Sequence, residues 1–269
     1  MRHDMTHKIF KKALTASLSA AFLLTGTQSA LAQISVTDTS SSVTVQQIGD
    51  DNFARIQSSG NNVTSLFQNG SGHIANIEIE GFRNGTNADE GTIDQTGQNN
   101  LANVTITGDD NLYDISQSSG GALNVADLTQ DGNFNTSDIT QDAASLRIGL
   151  GNLAEVNQIG NANFATVDQT AFAASSASFN NQALINQTGD DNLATSTQLG
   201  INNISEQEQE GDRNTSEILQ TGNDNLAIHR QFGNDLSLAS SLGGLVIEQS
   251  GGAEIIIEQY GAGQVPPPF

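Results

Sequence analysis

The chain has 269 residues with 30 acidic against 9 basic side chains, a formal charge of −21, no Cys and no Trp. So acidic a surface lacks the cation clusters that phosphate binding needs, which excludes nucleic acid as a partner. Without Cys no disulfide or thiolate site is available, and the chain must hold itself by backbone pairing or packing.

Residues 1–32 read as a secretory leader. Lys8, Lys11 and Lys12 precede the apolar run LTASLSAAFLLTG, which closes on the small-residue site Ala30-Leu31-Ala32. The run is too short and too rich in Ser and Thr to serve as a membrane span. Removal of this segment leaves 29 acids against Arg55, Arg83, Arg147, Arg213 and Arg230, a net charge of about −24. Residues 33–40 form a short lead.

Residues 41–261 carry a repeat. One position recurs eighteen times, two residues before a Gly in fifteen of them; it holds Gln in fifteen, with Ser58, Ile79 and Ile106 as the exceptions, and ten of the seventeen intervals are eleven residues. Two, four and six residues before it stand an aliphatic position, a small position and an Asn, as in Asn163, Ala165, Val167 and Gln169. Only Ser196, Gln207 and His229 break the aliphatic rule. A period of two is strand geometry, and charges such as Arg55, Asp114, Asp138, Glu155 and Glu217 fall on the alternate positions. The Asn, Ala/Ser, Val/Ile, Gln face therefore points inward, and the Gly beside Asn or Asp supplies the turn.

One such strand cannot bury a face alone, so identical units must stack. The predicted fold is all-β: a β-solenoid, a cross-β-like stack of about nine two-stranded coils of roughly 22 residues, with coils about 4.7–4.8 Å apart. In that stack Gln lies on Gln and Asn on Asn, each amide donating to and accepting from its neighbours along the axis. The predicted ladder comprises Gln47, Gln68, Gln95, Gln117, Gln130, Gln141, Gln158, Gln169, Gln187, Gln198, Gln209, Gln220, Gln231, Gln249 and Gln259. Its asparagines are Asn52, Asn62, Asn100, Asn111, Asn124, Asn135, Asn152, Asn163, Asn181, Asn192, Asn203, Asn214 and Asn225. The longer intervals at FRNGTNADEG, DAASLRIGLG, TAFAASSASFN and NDLSLASSLGG read as loops or decayed arms, and the Pro-rich tail 262–269 cannot join a ladder.

The unit N-x-[AS]-x-[VI]-x-Q-x-G, recurring at eleven residues and pairing near twenty-two, resembles the curlin-associated repeat. The chain resembles a subunit of curli, the extracellular functional amyloid of bacterial biofilms, and the resemblance covers almost everything after residue 40. It implies export as an unfolded chain through an outer-membrane secretion pore and polymerisation on a nucleator subunit into an adhesive cell-surface fibre. It also implies self-association as the main contact, with host or matrix surface proteins as further partners. The inward Gln and Asn would then carry templating.

Other chemistry finds less support. His73 and His229 lie in different coils without convergent partners, so a structural place is expected for both. Gly149–Ala154 matches G-x-G-x-x-A formally but lacks a βαβ context, and Asn152 and Ala154 already belong to an arm. No catalytic, cofactor or metal site is expected. The acidic GDDN turns at 49–52, 108–111 and 189–192 admit weak calcium binding, although a solvated face that delays aggregation explains them better. The alternative function is a non-polymerising secreted solenoid that binds or cleaves polysaccharide, or binds calcium or another ligand. A polysaccharide enzyme wants a cleft with basic residues, and an ice binder wants regular Thr rows. The outward positions here mix Asp, Glu, Arg, Asn and Thr. Large residues after the Asn position (Phe53, Leu101, Leu112, Leu153, Phe164, Leu193, Ile204 and Leu226) admit either corner packing or an exposed stripe.

Overall fold

The structure, a computed structural model, describes residues 19–25, 31–36, 41–85, 91–144, 149–172, 180–237 and 245–261. The described residues form twenty strands and no helix. In chain order they pair into coils: β1 (Ser19–Thr25) with β2 (Leu31–Val36), β3 (Ser42–Ile48) with β4 (Phe53–Ser59), β5 (Val63–Ser71) with β6 (Ile74–Glu80), and β7 (Gly91–Gln98) with β8 (Leu101–Thr107). Next come β9 (Leu112–Ser119) with β10 (Ala122–Asp131), β11 (Thr136–Ala143) with β12 (Gly149–Ile159), and β13 (Phe164–Ala171) with β14 (Asn181–Thr188). The last three are β15 (Leu193–Ile201) with β16 (Asn203–Glu210), β17 (Thr215–Asn223) with β18 (Leu226–Phe232), and β19 (Leu245–Ser250) with β20 (Glu254–Tyr260). Odd strands make one ten-stranded sheet and even strands another, each strand hydrogen-bonded to the one two places on.

This is the predicted β-solenoid, and β3–β20 are the eighteen arms read from the repeat. All neighbours pair parallel, as a chain that winds in one sense requires. The register carries Gln47 onto Gln68, Gln68 onto Gln95, and onward to Gln220 on Gln249. A slip of one residue would turn every inward chain outward, so the alternating pattern fixes that register.

Across the long intervals the described strands keep consecutive places in the stack. Between β6 and β7 the chain inserts residues 81–90, yet β7 still meets β5 with Gln95 on Gln68. Residues 86–90, 145–148, 173–179 and 238–244, inside these intervals, lie outside the described residues, as do 262–269 and most of the leader. One register irregularity falls where β10 meets β12, between Leu123 and Val125.

The stack begins earlier than residue 41. Ser19–Thr25, within the run read as a leader, pairs with β3 from Ser19 on Ser42 to Thr25 on Ile48. Leu31–Val36 pairs likewise with β4. In a chain that starts at Gln33, β1 is absent and β3 becomes an edge.

Inside, the two sheets face each other through small and aliphatic chains. Buried Val43, Ile56, Ile93, Ile115, Val156, Val167 and Ile185 join the alanines at 54, 75, 102, 126, 154, 165, 183 and 194 in one cluster. A second, small cluster holds Ile218, Ala227 and Ile247. One ring intrudes. Tyr113 occupies a small position and is fully buried, its hydroxyl 3.1 Å from Thr64 Oγ1 two strands away. It reaches Thr64 across β7, where Gly91 has the small position and a Cβ would strike the ring. Burial raises the pKa of this phenol, so it stays neutral.

The turns explain the glycines. At Gly108 φ is +113°, and a Cβ there would meet the carbonyl oxygen of Gly132 on the next coil. Two residues on, Asp110 takes φ +58°, the left-handed region that Asn and Asp tolerate best.

Gly91→Ala should destabilise the fold by about 1–3 kcal/mol, because the added methyl overpacks against Tyr113. Combined with Tyr113→Ala the added cost should largely vanish. Denaturant unfolding of the single and double variants measures this coupling.

Candidate functional site

A glutamine buried in each coil has one carboxamide oxygen and two amide hydrogens to satisfy. In the odd-strand sheet Gln47 Nε2 donates to Gln68 Oε1 at 2.7 Å. The chain of bonds continues at 2.8 or 2.9 Å through Gln95, Gln117, Gln141, Gln169, Gln198 and Gln220 to Gln249. The second hydrogen goes to the opposite sheet, one coil back: Gln117 Nε2 donates to Leu101 O, Gln141 to Val125 O and Gln169 to Leu153 O, each at 2.9 Å. Each glutamine thus ties its coil to the next and its own sheet to the opposite one.

The even-strand ladder is shorter. It runs Gln130, Gln158, Gln187, Gln209, Gln231, Gln259 at 2.8 or 2.9 Å. Ser58, Ile79 and Ile106 occupy the earlier rungs, and Ile106 pairs with Gln130. Gln130 Oε1 consequently has no hydrogen-bond partner. Every bond in both ladders has the donor on the earlier rung.

The asparagines sit at the corners and all thirteen predicted ones are buried. Asn135 shows the pattern: its Oδ1 accepts from Asn163 N at 3.0 Å, while its Nδ2 donates to Gly160 O at 2.9 Å. The same pair of bonds recurs at Asn111, Asn163 and Asn192. Each side chain thereby satisfies corner backbone that no strand can reach.

One corner residue escaped the repeat. Asn84 stands within the FRNG stretch, eleven residues from Gln95 instead of six, yet it accepts from Asn111 N at 2.8 Å and donates to Gly108 O at 2.9 Å. His73 fills an Asn position. Its Nδ1 accepts from Asn100 N at 3.3 Å and its Nε2 lies 3.4 Å from Asn69 O, reproducing the acceptor and the donor of an amide. This geometry assigns the Nε2-protonated tautomer. A third, exposed column was not foreseen: Asp109, Asn133, Asn161, Asp190, Asp212 and Asn234 each accept, through Oδ1, a backbone N–H of the preceding coil. The GDDN turns at 108–111 and 189–192 find this use through Asp109 and Asp190. Their second acids add cross-coil ion pairs where Arg is near, as Arg83 does with Asp110.

His229 lies fully buried in an aliphatic position, 2.7 Å from Ser216 Oγ through Nδ1 and 2.9 Å from Gln259 Oε1 through Nε2. The pair is sealed inside a coil, so the hydroxyl meets no solvent. Arg230 beside it reaches Glu206 and Glu208 on the coil before, at 2.6 and 3.3 Å, and Glu258 on the coil after, at 3.6 Å. Among the described residues no group of three or more His, Asp or Glu is arranged to hold a metal ion. The large residues after Asn point outward: Phe164, Leu193 and Ile204 are about two-fifths exposed and Phe53, Leu101, Leu112, Leu153 and Leu226 are partly so. They form two outward columns, Leu112, Phe164 and Leu193 on the odd-strand sheet and Phe53, Leu101, Leu153, Ile204 and Leu226 on the even-strand sheet.

Compared with known proteins, the chain matches no family model, no curated protein and no solved structure.

Gln169→Leu should leave Gln141 Nε2 without its ladder acceptor and Gln198 Oε1 without a donor, at about 1–3 kcal/mol for each orphaned group. The expected result is a lower denaturant midpoint with unchanged strand content by circular dichroism.

Acid should act in two opposed ways. Desolvation, then the charge of Asp114, raises the carboxyl pKa of Asp94; desolvation, then Asp114 and Asp168, raises that of Asp138. Their ionisation weakens the fold at neutral pH, so stability is gained as pH falls through the raised values towards 3.8. Desolvation lowers the pKa of His73 and His229, whose neutral forms favour the fold above 6.5, and that stability is lost as pH falls below it. Asp138→Asn should raise the unfolding midpoint at pH 7 and shrink the gain between pH 6 and 4, whereas His229→Ile should remove part of the loss just below pH 6.5.

Proposed function

We propose that the chain is a secreted structural subunit that polymerises end to end into an extracellular curli-type amyloid fibre serving cell adhesion and biofilm matrix. One observation carries the reading, namely the one-way glutamine ladder with unlike ends. At the first rung Gln47 Oε1 is a buried acceptor with no partner. At the last, Gln249 Nε2 turns back to Ala253 O at 3.0 Å, where every earlier rung of that sheet donates to a next Gln. A second copy stacked head to tail offers Gln249 the acceptor Gln47 Oε1 and continues the odd-strand sheet through β19 and β3.

The parallel register supports the same reading, because the end strands are edges of a template already repeated coil after coil. Loss of residues 1–32 removes β1 and opens β3 for that contact. Templating by stacked Gln and Asn agrees with the resemblance to curlin repeats over 41–261. On this reading the further partners are a nucleator subunit, an outer-membrane secretion pore and surface proteins of host or matrix. The large negative charge keeps unassembled chains apart.

A chain beginning at Gln33, diluted from denaturant, should convert after a lag to thioflavin-positive fibres with reflections near 4.7–4.8 Å and about 10 Å. Seeds should shorten the lag, and Gln47→Leu should lengthen it. A chain that stays monomeric with seeds present overturns the proposal in favour of a non-polymerising solenoid.

A further inference from the structure

The long apolar cluster of the core ends at Ala194 and the small one starts at Ile218. Ala194 belongs to the coil of β15 and β16, whose other inward positions are polar and join neither cluster. Its Ser196 lies in register between Val167 and Ile218, Ser205 between Ala183 and Ala227, and Gln207 between Ile185 and His229.

Within a coil the aliphatic position of one sheet opposes the small position of the other, as the contact of Ser216 with His229 fixes. The neighbouring coils therefore set Val167 against Ala183 and Ile218 against Ala227. Here Ser196 opposes Ser205. Two short hydroxyl chains stand where a branched chain and a methyl stand on either side, so the coil is underfilled. Gln207 cannot swing in fully, because its Nε2 is held by Thr195 O at 2.8 Å.

The polar atoms facing this space are orphans. Ser196, Ser205 and Gln207 are at most 1% exposed, and Ser196 Oγ, Ser205 Oγ and Gln207 Oε1 have no hydrogen-bond partner. Each costs about 1–3 kcal/mol if left dry. A buried water needs two to four polar partners in a polar space, and three unpartnered ones share this one coil.

We propose that the β15–β16 coil encloses bound water, bridging Ser196 Oγ, Ser205 Oγ and Gln207 Oε1, and that this hydrated coil is the seam at which the stack opens. The water donates to Gln207 Oε1 and to one serine oxygen and accepts from the other hydroxyl. Dispersion contacts between Val167 and Ile218 are interrupted there, and the block β17–β20 is joined to β3–β14 by backbone pairing and by polar links alone: Gln198 and Gln209, the corner asparagines, and Arg230 with Glu206 and Glu208. This inference is independent of polymerisation.

The test is amide hydrogen exchange along the full chain, with the variant Ser196→Val/Ser205→Ala/Gln207→Ile, which installs the residues of the preceding coil. In the wild type, exchange should step up by about tenfold or more on crossing from β14 to β17, and the variant should abolish the step. Ser196→Val alone should reduce it, which covers a failure of the triple variant to fold. A high-resolution map should show water in the wild-type coil. Exchange that rises smoothly towards both ends is fraying and overturns the seam. A step that survives the substitutions, or a dry coil, overturns the hydration.

Discussion

A primary amide buried in a thin protein must find partners for an oxygen and two hydrogens, and the stack answers that requirement once per coil. Gln141 shows the whole solution: it accepts from Gln117, donates to Gln169 and donates across to Val125 O. The first two bonds need an identical residue one coil away, and the third needs the opposite sheet to be close. Register, spacing and the small chains of the interior all follow from satisfying it. Aliphatic residues fill what remains and cannot define the arrangement, since any of them would tolerate a shift along the axis.

The same interaction gives the molecule a direction. Parallel strands wound in one sense already distinguish the two ends, and the glutamines repeat that distinction in their donors and acceptors. Corner asparagines run the opposite way, their oxygens receiving backbone N–H groups from the later coil. A stack inverted upon another would bring like groups together at both columns.

Much of this was legible in the sequence because a period of two within a period of eleven has few physical solutions. The inward face, eighteen arms, paired coils and the burial of every predicted Asn followed from alternation and from the cost of a lone strand. What stayed hidden depended on contacts between coils. Asn84 serves Gln95 from beyond an insertion, so fixed spacing passed over it. Tyr113 in a small position makes sense only beside Gly91 and Thr64, two coils' worth of context. The pairing of Ser19–Thr25 with β3 was masked by a stretch whose composition reads as a leader, for apolar residues with β propensity satisfy both descriptions.

The insertions carry a different lesson. Residues 81–90 lengthen a corner, yet the next strand returns to the register it would have had without them. Length at a corner is thus decoupled from order along the axis. Such a design is modular in the evolutionary sense: whole coils can be duplicated or lost, and corners can acquire new sequence, without renegotiating the pairing of their neighbours. Surface character can then diversify at the corners while the stacked interior stays under one unchanging constraint.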